Sequence, residues 1–129
     1  MAEDSSSKRM TAAVVFQAAR LLRDLGILQA LRSQPGGMTL DELDGVVETS
    51  RYGVLILLEA GLAAGLVRVD GTRYFLMPPG VFILRDELTR INMDFVHDCC
   101  FQASRFLEDA IREGKPVGLN EVFGDWETI

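Results

Sequence analysis

Between Asp94 and Arg112 the sequence gathers most of the side chains that could do chemistry. They are the carboxylates Asp94, Asp98 and Glu108, the only histidine, His97, and the adjacent Cys99 and Cys100. Paired carboxylates suit general acid–base work, and histidine with cysteine suits zinc. Neither pattern is complete. Arg90, Arg105 and Arg112 interleave with the acids at helical spacing, and Glu108 precedes Arg112 in the favourable i, i+4 order, so these charges read as a solvated ion-pair face. One histidine and two neighbouring cysteines do not supply four converging ligands. Neighbouring side chains point in different directions, so a Cys99–Cys100 disulfide would be strained. Both thiols read as small apolar core residues. His97 falls near the middle of the polar arc as a solvated or partner-contacting side chain, and Phe101 is an aromatic on that same arc. No catalytic, cofactor-binding or metal-ligating residue is predicted.

The composition of the whole 129-residue chain sets the frame for these groups. Apolar residues make up 48% and charged residues 25%, enough for one domain with a core and against disorder over most of the chain. The net charge of −6 gives no general help in binding nucleic acid or anionic lipid. Met1–Ser7 is polar and serine-rich, reads as disordered, and has no apolar signal core. The longest apolar stretch, Val54–Val67, is too short to span a bilayer and contains Glu59. With free thiols, a cytoplasmic location is expected.

Val14, Ala18, Leu21, Leu22 and Leu25 recur at steps of three and four, predicting a helix from Lys8 to Leu25 that Gly26 ends. Ile27–Ser33 reads as a second short helix before Pro35-Gly36-Gly37. Thr39 and Glu42 have capping-box spacing and open a helix to Val47; Ser50 caps another over Arg51–Ala63 that is apolar nearly all round, hence largely buried. Leu66–Val69 and Arg73–Met77 flank Asp70-Gly71-Thr72, a hairpin signal. The fold class expected is mainly α: a winged helix-turn-helix with a two-stranded β wing plus a long C-terminal helix. Pro78-Pro79-Gly80 is expected to break any regular element. The long helix runs from Asp86 to Glu113, closed by Gly114 and Pro116, with apolar positions over an arc of about 200°. A helix covering one core needs about half that width. This one should bury two sides.

An arginine-poor helix-turn-helix is a weak DNA reader. Over Thr39–Met77 six acids face three arginines, and the Arg51–Ala63 helix is mostly Leu, Ile, Val and Ala. At the other end, Gly124-Asp125-Trp126 places an N-cap candidate before only one helical turn, so a fragment of a longer protein is expected.

The order of elements resembles the N-terminal domain of class I S-adenosylmethionine-dependent O-methyltransferases of the small-molecule type. The strings that carry the likeness are FQAARLLRDLGILQALRSQPGGMTLDELDGVVETSRYGVLILLEAGLAAGLV, the wing VRVDGTRYFLMPPG, and RDELTRINMDFVHDCCFQ leading to FGDWETI. The resemblance implies a domain that dimerises rather than reads DNA, joined by the long helix to a Rossmann-like catalytic domain. It divides the chain into a disordered 1–7, a winged-helix dimerisation unit over 8–85, a linker and dimer helix over 86–115, and the start of the connection to a missing catalytic domain over 116–129. The family's G-x-G-x-G cofactor turn is absent among twelve glycines. No cofactor is therefore expected on these residues, with S-adenosylmethionine on the presumed full-length protein, and the fragment should not methylate alone.

Partners expected are a second copy of the chain and that catalytic domain, with no nucleic acid and no membrane. Dimer contacts are assigned to Val14, Leu21, Leu25, Phe95, Cys99 and Phe106. His97 and Phe101 are placed near a substrate cavity, with an isolated exposed aromatic as the other reading of Phe101. Trp126, the only tryptophan, either packs at the hinge to the catalytic domain or folds back onto the long helix. A winged-helix transcription regulator and a free-standing dimeric scaffold are the alternative functions.

Overall fold

Glycine and proline punctuate this chain, and helices fill the space between. In a computed structural model residues 12–124 are described, as one unit running to Asp86 and a second from Glu87. The expected disordered start and Trp126 lie outside the described residues.

In the first unit, α1 (Ala12–Asp24) buries Ala19 and Leu22, and Gly26 ends it with φ 89°. Helix α2 (Ile27–Ser33) turns Ile27, Leu28 and Leu31 inward. Thr39 then starts α3 (Leu40–Asp44) with a complete capping box: its hydroxyl accepts from the Glu42 N–H at 3.2 Å, and the Glu42 carboxylate accepts from the Thr39 N–H at 3.0 Å. Replacing Thr39 with Ala is expected to cost about 1 kcal/mol in urea unfolding. Helix α4 (Arg51–Ala63) is capped by Ser50, whose hydroxyl accepts from the Gly53 N–H at 2.9 Å.

Strands β2 (Val67–Asp70) and β3 (Arg73–Leu76) pair antiparallel from Val67 opposite Leu76 to Asp70 opposite Arg73, with Gly71 and Thr72 as the two-residue turn. An unforeseen two-residue strand, β1 (Met38–Thr39), pairs with the far side of β3, giving the order β1-β3-β2. Gly37 makes this possible: its φ is +82°, and a side chain there would drive into the Phe75 ring 2.8 Å away. Helix α1 packs on α4, and the fully buried Leu22, Leu28, Leu43, Val54 and Leu58 form the core.

The expected break at Pro78-Pro79-Gly80 is corrected. Helix α5 (Pro78–Arg85) begins there, because proline is accommodated in a first helical turn, where its missing N–H would have had no partner. Gly80 allows α5 to close on the strands; a Cβ there would lie 2.7 Å from the Leu66 carbonyl oxygen. Helix α4 also departs from expectation. Its Val54, Leu57, Leu58 and Gly61 side is buried, but Tyr52 and Ile56 are exposed.

In the second unit the expected long helix is present from Glu87 to Glu113, with two irregular turns inside it. Helix α6 (Glu87–Phe95) passes into a π turn (Val96–Phe101), a 3₁₀ turn (Ser104–Phe106) and then α7 (Leu107–Glu113). Gly114 closes the run with φ 66°, and α8 (Val117–Phe123), not foreseen, packs back on α7 and the 3₁₀ turn. Gly118 is the contact point, since a Cβ there would collide with the Ala103 carbonyl oxygen.

Candidate functional site

Exposed apolar side chains, rather than a polar pocket, dominate the surface. In the first unit α1 shows Val14, 71% exposed, and a half-buried Leu21, and Leu25 just past its end is exposed. In the second, Leu88, Ile91 and Phe95 recur at steps of three and four along α6, so they share one face, and all three are exposed. Leu107 and Ile111 on α7 and Leu119 and Phe123 on α8 continue the apolar exposure of this unit. Phe106 is half-buried. Cys99 is buried within the single chain.

The chemistry-bearing residues separate. Glu108 holds Arg112 through a hydrogen bond of 2.9 Å, as the helical order anticipates. Burial, then the neighbouring Cys100, pushes the Cys99 thiol up. Cys100 is exposed. On the π turn the His97 and Phe101 rings stack with centroids 6.4 Å apart at 24°, and the His97 Nδ1 is buried with no hydrogen-bond partner. Phe101 itself is exposed. The structure therefore brings His97 and Phe101 together, while Glu108 is engaged by Arg112. A groove of about 550 Å³ follows α7, lined by Ser104, Leu107, Ile111 and the Glu108–Arg112 pair.

Elsewhere, the charges serve the fold. At the end of α1 burial alone would raise the Asp24 carboxyl, but hydrogen bonds from Arg23 at 2.8 Å and Arg20 at 3.0 Å outweigh it and hold it below the usual carboxylate range. The small stabilisation this gives is present above the unfolded-state value and fades as the pH falls. Arg51 pairs with Asp41, which raises the guanidinium further above its usual value. A hollow of about 480 Å³ opens beside that pair, reaching Thr72 and Tyr74 at the hairpin turn. Among the described residues no three His, Cys, Asp or Glu side chains converge to hold a metal, and no helix is long and apolar enough to cross a membrane.

The described glycines with left-handed backbone sit at helix ends, at the entry to β1 and in the hairpin turn. None of them lies in a strand-to-helix turn.

Comparison with known proteins places this architecture. Residues 6–74 match the family described as the Dimerisation2-like domain. No curated protein matches the sequence. Among solved structures, the chain is similar to the crystal structure of the S-adenosylmethionine-dependent methyltransferase SibL in its apo form. The TM-score is 0.79 at 20% identity, over 95% of this chain and 37% of that one. The likeness is one of fold, and the chain spans little more than a third of that methyltransferase.

Proposed function

The chain belongs to the Dimerisation2-like domain family, and from that premise we propose that it is the self-association domain of a longer S-adenosylmethionine-dependent small-molecule O-methyltransferase. The observation that carries the reading is the apolar surface left open on an otherwise well-packed fold. In the first unit Val14 on α1 and Leu25 just after it are exposed, and in the second Leu88, Ile91 and Phe95 are exposed on one face of α6. Surfaces of this kind mark interfaces.

A second copy of the chain is the partner this surface fits. Val14, Leu21, Leu25, Phe95 and Phe106 supply the contacts, and Cys99 is buried within the single chain. In a two-fold dimer each of these side chains counts twice, which suits an obligate, apolar interface. S-adenosylmethionine belongs to a part of the longer protein outside these residues, and no chemical step is assigned to them. His97 and Phe101, held side by side on the π turn, contact the acceptor cavity or the neighbouring catalytic domain. The acidic balance of the helix-turn-helix and the exposed Tyr52 and Ile56 on α4, where a DNA reader needs polar and basic groups, count against the regulator alternative.

Sedimentation velocity on the chain tests the reading. A dimer at micromolar concentration is expected, and a stable folded monomer there overturns it.

A further inference from the structure

Helix α4 has a second apolar side that the fold does not use. Tyr52, Ile56, Glu59 and Ala63 follow one another at steps of four, three and four, and so line one face. All four are exposed, opposite the buried Val54, Leu57, Leu58 and Gly61. Tyr52 is 74% exposed, and Val46, in the turn leading into α4, is 61% exposed. Glu59 within this row is exposed, Glu48 in the loop before the Ser50 cap is exposed, Asp44 lies beside Arg51, and Arg51 is already held by Asp41.

We propose that this face of α4 is a docking surface for a basic amphipathic helix of another protein, with apolar anchors on Val46, Tyr52 and Ile56 and lysines or arginines facing Glu48 and Glu59. The charges select among occupants. A second copy of the same face would bring carboxylate against carboxylate, and nucleic acid or anionic lipid would be repelled in the same way. A basic helix gains both terms at once: buried apolar area and complementary charge at Glu48 and Glu59. The hollow of about 480 Å³ at Asp41 and Arg51 adjoins the N-terminal end of α4, where a partner cation can compete with Arg51 for the Asp41 carboxylate.

The proposal stands independently of the dimer surface on α1 and α6, and the test keeps the two apart. The probe is a fluorescently labelled helical peptide with leucines at i, i+3 and i+7 and lysines elsewhere, titrated into the full chain. Saturable binding is expected, weakening by about tenfold or more as salt rises from about 0.05 to 0.3 M. The pair Tyr52→Ser and Ile56→Ser should weaken it by about tenfold or more with the sedimentation coefficient unchanged. The pair Glu48→Lys and Glu59→Lys should move the preference to a peptide carrying glutamates in place of the lysines, a gain that a misfolded variant cannot produce. Equal binding by the unmodified chain and both variants overturns the proposal. So does a Tyr52→Ser, Ile56→Ser chain that loses assembled mass, since the face would then belong to a second copy.

Discussion

Phe95→Asp is expected to turn the dimer into a folded monomer at micromolar concentration. The ring is 59% exposed in the single chain, so little of the unit's own packing depends on it. In the assembly proposed above it is covered. Burying a phenylalanine stabilises by about 1.5–3 kcal/mol relative to leaving it exposed, and two-fold symmetry removes that contribution twice. Leaving a carboxylate in the apolar centre adds a further desolvation penalty. Together these weaken association by about 4 kcal/mol or more, roughly a thousandfold in the dissociation constant. Sedimentation together with circular dichroism checks it. A chain that stays dimeric with Asp at position 95 places the interface elsewhere.

Leu58→Ala is expected to have the opposite signature: a large loss of stability that does not act through the interface. Leu58 is fully buried on α4. Removing it leaves a cavity as well as lost transfer energy, about 3 kcal/mol in all. For a unit of this size that lowers Tm by about 15 °C. Ile56 is the internal control on the same helix. It is 42% exposed, and Ile56→Ala is expected to cost the fold under about 1 kcal/mol. If the two substitutions shift Tm equally, the assignment of α4's inner and outer sides is wrong.

Much of the architecture was legible because it is announced by local chemistry. Thr39 with Glu42, Ser50 before an apolar run, and Asp70-Gly71 between β-formers each state an element within four residues, and each is found in the structure. The parts that escaped depend on distant partners. Strand β1 is two residues long and has no period to detect; it exists because β3 lies beside it and Gly37 admits Phe75. Helix α5 was hidden by a rule applied at the wrong position: prolines that break a helix interior are tolerated in its first turn. Helix α8 rests on Gly118 meeting the Ala103 backbone, a contact no spacing reveals.

The same division holds for the surface. The excess apolar arc was visible in the sequence, but residue type alone does not show that Cys99 is buried within the single chain while Phe95 and Val96 beside it are exposed. His97 and Phe101 are four residues apart, one turn of any helix, and the structure adds the orphaned Nδ1 that spacing does not show.

The π turn at Val96–Phe101 has a geometric consequence for the apolar stripes on either side of it. A π turn winds more slowly per residue than an α-helix, and the 3₁₀ turn that follows winds faster. The pair acts as a phase adjuster, leaving the second half of the helix about 50° behind its regular course. That lag narrows the angle between the Leu107 and Ile111 stripe and the Leu88, Ile91 and Phe95 stripe from about 150° to about 100°. A chain one residue shorter within the π turn would relax it to regular α-helix and keep the aim of the two stripes nearly unchanged, because six slowly winding residues turn about as far as five α-helical ones.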